Sequence, residues 1–198
     1  MTPTIAIEQA KPDELPTVLA LLDEAATWLR EQGIEQWPER FSGLENWRTE
    51  RLRKYAADGE IYLLRDRGEP VATMTFTLNA DPDYVHGWPD GPDAGAYVHR
   101  MAVRRSNAGH DLGTVMLDWA GAQTAAGGRP WLRLDCSRTN HKLRAYYENR
   151  GFRCVAEIIA DIDPAGTTHP SGDTYRRGSG ALYQRPAGLF IPARVQDA

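Results

Sequence analysis

The residues best suited to chemistry fall between positions 97 and 152. Residues 108–114 read Ala-Gly-His-Asp-Leu-Gly-Thr, just ahead of an apolar helical run. A helix N-terminus offers backbone N–H donors and the positive end of a dipole, which is what a phosphate needs. Gly109 and Gly113 lack side chains and let the backbone approach a ligand closely. Thr114 adds a hydroxyl, and His110 or Arg105 could add charge. Two glycines separated by three residues also fit a plain helix start with no ligand. His99 has a side chain that is neutral and can take up a proton near pH 7, although a lone histidine on a strand is more often structural. Asp135 is a second candidate base, or a carboxylate that binds an amine. Asn140 has the residue type of a helix N-cap.

These side chains need a frame, and the pattern supplies one. Tyr97–Val103 reads as a strand, followed by the glycine loop and a helix from near Thr114 that carries Val115, Met116, Leu117 and Trp119. Gly127-Gly128 ends that helix. Trp131–Cys136 is the next strand, and Asn140 to Phe152 the next helix and its exit. Upstream, Ile5 and Ile7 alternate with polar residues, as in a strand. Leu15 to Leu29 has apolar spacings of three and four behind Asp13-Glu14, which predicts an amphipathic helix ending near Gly33. Leu44–Ala57 predicts a second helix with Leu44, Trp47, Leu52 and Tyr55 inward. Ile61–Leu64 and Val71–Leu78 predict a hairpin around Asp66–Glu69. Residues 79–95 and 163–180 are rich in Gly, Pro and Asp and read as loops. Residues 153–162 and 181–184 complete the predicted strands. Strands alternating with helices imply an α/β sandwich around one mixed sheet.

The order over 97–152 resembles the core of the GNAT-type N-acetyltransferase family. Met101-Ala102-Val103 matches the end of the family's central strand, and Ala108–Gly113 aligns with its phosphate loop, Arg/Gln-x-x-Gly-x-Gly/Ala. Asn140, Tyr147 and Gly151-Phe152 match its last helix. The loop departs twice: Ala108 stands where the family has Arg or Gln, and Asp111 where it has the middle glycine. The resemblance covers about residues 5–186 and is specific within 97–152. It implies the GNAT fold: a mixed central sheet of about seven strands flanked by helices, with the two central strands splayed apart. That fold would be a single domain over 1–198, with its core at about 5–186 and a tail from 187.

The resemblance also implies direct transfer of an acetyl group from acetyl-CoA, as co-substrate, to a primary amine, with no metal; one ordinary domain without an obvious peptide-docking module favours the amine of a small molecule over a protein N-terminus or lysine. Met101 and Val103 would hold the pantetheine arm through their backbones. Gly109, His110, Asp111, Leu112, Gly113 and Thr114 would hold the pyrophosphate. Asn140 would hold the cofactor arm or the helix start, and a plain N-cap explains it equally well. Tyr147 would be the general acid that protonates the departing thiolate, with Tyr146 its competitor one step away. His99 stands where related enzymes often carry a Glu and is the candidate base, with ordered water as the rival. A carboxylate at Asp111 would repel a pyrophosphate unless it turns outward or folds over the helix N–H groups as a cap. The amine groove would be built by Trp28, Gln36, Trp37, Tyr84, Trp88, His169 and Tyr175, with Asp81, Asp83, Asp90 and Asp93 nearby. Aromatic rings with acids suit a cationic amine, and Trp37, Tyr84 and Asp135 are the substrate-binding candidates. The alternative is a degenerate domain that binds acyl-CoA without catalysis, or an interaction module; Ala108 and Asp111 favour it, and Tyr147 and Asn140 oppose it.

Composition narrows the class. The chain has 198 residues, a formal net charge of -4, 41% apolar and 25% charged residues. That is ordinary for a globular domain and gives no basic surface for nucleic acid. No apolar run reaches membrane-helix length, and Met-Thr-Pro-Thr-Ile has no features of a signal peptide. The expectation is a cytoplasmic protein with no membrane or nucleic-acid partner. Cys136 and Cys154 read as reduced, buried small hydrophobes; a disulfide would need their strands to be adjacent. Their spacing does not suggest a metal site. Leu189, Phe190 and Ile191 would dock on the domain or on a second subunit of a homodimer.

Overall fold

The computed structural model describes residues 5–34, 36–43, 46–158 and 180–190. Seven strands form one sheet: β1 (Ile5–Gln9), β2 (Ile61–Asp66), β3 (Glu69–Thr77), β4 (Gly95–Val103), β5 (Trp131–Cys136), β6 (Arg153–Glu157) and β7 (Ala181–Pro186). Their order is β1-β2-β3-β4-β5-β7-β6, with β4 and β5 parallel and every other pair antiparallel. The expected mixed seven-stranded sheet is therefore present. The last strand in sequence inserts between β5 and β6 rather than adding at an edge.

Helices cover both faces. α1 (Leu15–Glu31) and α2 (Trp47–Ala57) lie on one face, and α3 (Leu112–Ala126) and α4 (His141–Glu148) on the other. α1 buries Val18, Leu21, Leu22 and Ala26 against Ile61, Leu63 and Ala102. Each fully buried leucine contributes about 1.5–3 kcal/mol. Gly33 (φ 71°) turns the chain out of α1, and Ile34 N–H closes back on the Leu29 carbonyl at 2.9 Å, a glycine C-cap. Asn46 caps α2 by accepting from the N–H groups of Arg48 and Thr49. α2 buries Thr49, Leu52 and Ala56; Trp47 and Tyr55, expected inward, are half-buried, and Leu44 lies outside the described residues.

α3 buries the i, i+4 rows Leu112–Met116–Ala120–Thr124 and Gly113–Leu117–Gly121. It starts at Leu112, two residues before the expected Thr114, and Val115 faces out. Arg67 (φ 52°) and Gly68 (φ 88°) make the two-residue turn of the β2–β3 hairpin. The expected loop 79–95 contains two 3-10 turns, at Pro82–Gly87 and Pro92–Ala94. Asp81 starts the first by accepting from Asp83 N–H at 3.0 Å. Buried Arg133 anchors this segment, donating to the Gly91 carbonyl (2.7 Å), Tyr97 Oη (3.1 Å) and Gln184 Oε1 (3.1 Å).

Cys136 is buried and Cys154 exposed, and both are free thiols. The expectation that both are buried fails for Cys154 because β6 is a sheet edge. β7 separates their strands, so the adjacency a disulfide requires is missing. The tail docks on its own domain: Gly188 N–H donates to the Gly121 carbonyl at 2.7 Å, and the Phe190 ring sits over Gly151. Leu189 is exposed. Residues 159–162 of the expected sixth strand, His169, Tyr175 and Ile191 lie outside the described residues. Among the described residues no helix is long and apolar enough to cross a membrane.

Candidate active site

The site starts where two strands stop pairing. β4 and β5 pair from Gly95↔Trp131 to Val98↔Leu134 and then diverge, although β4 continues to Val103. Beyond Val98 the β5-facing edge of β4 carries unpaired backbone groups, which an extended ligand can bond as an added strand does. Both Met101 and Val103 lie on this free stretch.

A β-bulge sits at the same place. Thr75 opposes His99 and Thr73 opposes Ala102, so Arg100 and Met101 share the position opposite Met74. Arg100 takes the extra residue's strain with φ 48°. The bulge resets the alternation of faces. Met101 packs with Val98 on the α3 side, Ala102 packs under α1, and Arg100 reaches across the opposite face to the Tyr55 ring of α2, 5.7 Å from its centroid.

The expected phosphate loop opens onto the same region. The N–H groups of Gly109, His110, Asp111, Leu112 and Gly113 have no acceptor among the described residues. Gly109 (φ 84°) has nothing within 4 Å of where a Cβ would stand. Gly113 is needed for a different reason: a Cβ there would strike the Tyr146 hydroxyl. Asp111 adopts the left-handed conformation (φ 58°) that a middle glycine would supply, which Asp tolerates better than most residues. Its carboxylate makes no bond to the helix N–H groups, so the capping role fails. It accepts instead from Thr114 Oγ1 (3.1 Å) and Arg150 Nη2 (2.9 Å), while Arg150 Nε donates to Thr114 Oγ1 (2.6 Å). Arg150 lies flat on the Tyr146 ring, 3.6 Å from its centroid. A cation from the end of α4 thus offsets the misplaced acid at the loop. His110 is exposed, with Nδ1 3.2 Å from the Asn107 carbonyl.

α4 brings Tyr147 to this region. Asn140 caps the helix, accepting from Leu143 N–H (3.1 Å) and donating to Gln36 Oε1 (3.3 Å). Tyr147 is buried, its ring packed on Phe152 and Tyr183. Its hydroxyl makes no hydrogen bond among the described residues, and burial pushes its pKa well above the ordinary tyrosine value. The phenol therefore holds its proton. Tyr146, its competitor, is committed to the Gly113–Thr114 turn.

His99 and Asp135 meet on the other side of the opening. His99 Nδ1 is 3.2 Å from Asp135 Oδ1, and His99 Nε2 is buried without a partner among the described residues. A buried polar atom left unpaired calls for an explanation, and a ligand-binding role is one.

Most of these residues line one cavity of about 1180 Å³. It holds Met101, Val103, Gly109, Asp111–Gly113, Asn140 and Tyr147 as well as His99, Asp135, Trp37 and Tyr84. His110 and Thr114 do not line it. Trp28 and Gln36 do, with the Arg105 guanidinium 4.1 Å over the Trp28 ring. Trp88 does not: it is buried against Tyr97 and Arg133. Of the acids expected near the groove, Asp81 alone reaches it, and Arg51 already pairs with it at 2.8 Å. The sequence reading missed Arg150 and Arg100. A cation such as Arg150 near a helix C-terminus is ordinary, and the bulge that sets the face of Arg100 leaves no mark in the sequence of β4. Among the described residues no group of His, Cys, Asp or Glu could hold a metal ion.

Comparison with known proteins bears on this geometry. The family model described as Acetyltransferase (GNAT) family matches residues 22–152. A curated relative, the uncharacterized N-acetyltransferase YesJ of Bacillus subtilis, is 27% identical over 142 residues, covering 71% of this chain and 77% of YesJ. A GNAT-family acetyltransferase structure from Listeria monocytogenes superposes with a TM-score of 0.68 at 21% identity, covering 94% of this chain and 98% of that one. The PaiA N-acetyltransferase of Thermoplasma acidophilum, solved in complex with coenzyme A, superposes with a TM-score of 0.60 at 16% identity, covering 92% and 99%. At these identities the two structures speak to the fold.

Proposed function

The chain belongs to the GNAT acetyltransferase family, and from that membership we propose that it transfers the acetyl group of acetyl-CoA directly to the primary amine of a small molecule. One observation carries the reading. The unpartnered N–H groups of Gly109 and of residues 111–113, the free edge of β4 and the protonated Tyr147 phenol open onto the same place. The coenzyme A complex of the Thermoplasma relative, which has the same fold, adds support.

Acetyl-CoA supplies an activated acyl carbonyl. The loop N–H groups and the α3 N-terminus hold its pyrophosphate, with Arg150 drawing off the Asp111 charge. Met101 and Val103 hold the pantetheine arm through backbone bonds. Asp135 holds the incoming ammonium, and His99 takes up its proton at Nε2. A carbon–nitrogen bond then forms as the carbon–sulfur bond breaks, and Tyr147 gives its hydroxyl proton to the departing sulfur. The nitrogen sheds its second proton as it becomes an amide, and that proton passes through water to the Tyr147 oxygen, while His99 returns its own proton to solvent. Trp37 and Tyr84 form part of the amine's wall. The proposal places the reaction in the cytoplasm, in keeping with two free thiols.

Calorimetric titration of acetyl-CoA into the purified protein tests the reading first. Micromolar binding, roughly -8 kcal/mol, with thiol release on adding a primary amine, is the expected result. No binding at millimolar acetyl-CoA would overturn it.

A further inference from the structure

The carboxylates around the cavity are already engaged. Asp81 faces Arg51 at 2.8 Å, Glu39 faces Arg30 at 3.3 Å, Asp111 faces Arg150 at 2.9 Å and Asp135 faces His99 at 3.2 Å. Arg100 lines the same cavity; it packs over the Tyr55 ring, 5.7 Å from the centroid, and feels the charges of Asp81 and Asp135, but makes no direct hydrogen bond or close ion pair with a described residue. Its side chain is half-buried in the cavity wall, and burial is the main cause of a guanidinium pKa held below its usual value. A partly desolvated charge gains from a direct partner. The bulge that turns Arg100 there also strains its backbone, and strain of this kind persists where it serves a site.

We propose that the amine substrate carries a carboxylate, and that Arg100 receives it while the amine lies toward His99 and Asp135, so that the enzyme acetylates free amino acids rather than simple amines. The inference rests on the acetyl-transfer reading above. Arg100 directly follows His99 in the chain, and the bulge puts both side chains on the α1–α2 face. Amine and carboxylate can therefore be engaged by neighbouring residues, as the short span of an amino acid requires. A guanidinium matches a carboxylate in planar, two-point geometry. The single charge of Arg100 matches that of one carboxylate. Trp37 and Phe41, packed edge to face at 5.5 Å, give the wall an apolar portion for a side chain.

The test compares the twenty common amino acids with their decarboxylated amines, such as phenylalanine with phenethylamine and leucine with isoamylamine. Thiol release from acetyl-CoA gives kcat/KM for the wild type, Arg100→Met and Arg100→Lys. Calorimetry with acetyl-CoA, run on each variant, serves as the control for folding and cofactor binding. At least one amino acid should exceed its decarboxylated partner by roughly 10- to 100-fold in the wild type. Arg100→Met should erase that preference, chiefly through KM, and Arg100→Lys should recover part of it, with acetyl-CoA affinity unchanged in both. Decarboxylated amines used as well as or better than amino acids would overturn the proposal, as would a carboxylate preference that survives Arg100→Met. So would intact acetyl-CoA binding with no amino acid acetylated. Those results leave the acetyl-transfer reading standing, whereas failure of the wild type to bind acetyl-CoA removes both.

Discussion

His99 Nδ1 lies 3.2 Å from Asp135 Oδ1 at the first positions where β4 and β5 no longer pair. The contact orients the ring: an N–H at Nδ1 faces the carboxylate, which leaves Nε2 with the lone pair. His99→Gln should lower kcat/KM and flatten the acidic limb of the pH–rate profile. Asp135→Asn should lower it as well, because the ring loses the partner that sets its tautomer. A profile unchanged in both variants would assign proton removal to water.

Tyr147 is the second expectation. Its raised pKa keeps the phenol protonated well into the alkaline range, so the acid is not lost as pH rises through ordinary assay conditions. Tyr147→Phe should reduce kcat by about 10²-fold or more while calorimetric affinity for acetyl-CoA holds. Full activity in Tyr147→Phe would remove it from the mechanism, and Tyr146 would be tested next.

Arg150 and Asp111 form a pair that can be taken apart. Asp111 is largely exposed, so the pair itself adds little stability. Its effect should appear in cofactor affinity instead. Asp111→Gly should tighten acetyl-CoA binding by roughly fivefold, and Arg150→Met should weaken it by about tenfold. If Arg150 masks the carboxylate, Asp111→Gly should help more in the Arg150→Met background than in the wild type. Equal effects in both backgrounds would mean that the two residues act separately.

Alkaline stability gives a check that is independent of activity. Burial pushes the Cys136 thiol and the Tyr183 phenol up to about 12, and Tyr147 further still. Each group keeps its proton in the folded chain and loses it on unfolding from its ordinary value upward, about 8.5 for cysteine and 10 for tyrosine. The unfolded state then binds fewer protons, so stability falls as pH rises. The fall begins with Cys136 above about pH 8.5 and steepens above pH 10, at about 1.4 kcal/mol per pH unit for each group involved. Urea midpoints measured between pH 8 and 11 should decline along this course. In Cys136→Ala the decline should start later.

The frame of the site was legible because it rests on local rules. Gly127-Gly128, the hairpin turn and the apolar runs mark the elements, and their order implies one mixed sheet; the count of seven strands came from the family resemblance, and the place of β7 was not legible. Tyr147 and the glycine loop were readable as a spacing. Arg100 was not, since a bulge is decided by pairing with β3 and changes the face of a side chain without any mark in β4 itself. The true partner of Asp111 was equally hidden, because it comes from residue 150, across a helix–helix contact. The groove acids misled for a related reason: sequence shows a carboxylate but not the arginine that already occupies it.

The insertion of β7 between β5 and β6 has a consequence for the order in which a working molecule can arise. Residues 181–190 follow in the chain everything they hold together: Tyr183 walls Tyr147, Arg185 reaches the Leu117 carbonyl and Asp118, and Phe190 covers the turn after α4. While a ribosome still holds those residues, β6 has no neighbour in the sheet and α4 has no floor. The β1–β4 half can settle during synthesis, but Tyr147 gains its surroundings only as the final strand slides into its slot. A chain truncated before residue 181 should therefore lack the surface against which Tyr147 packs.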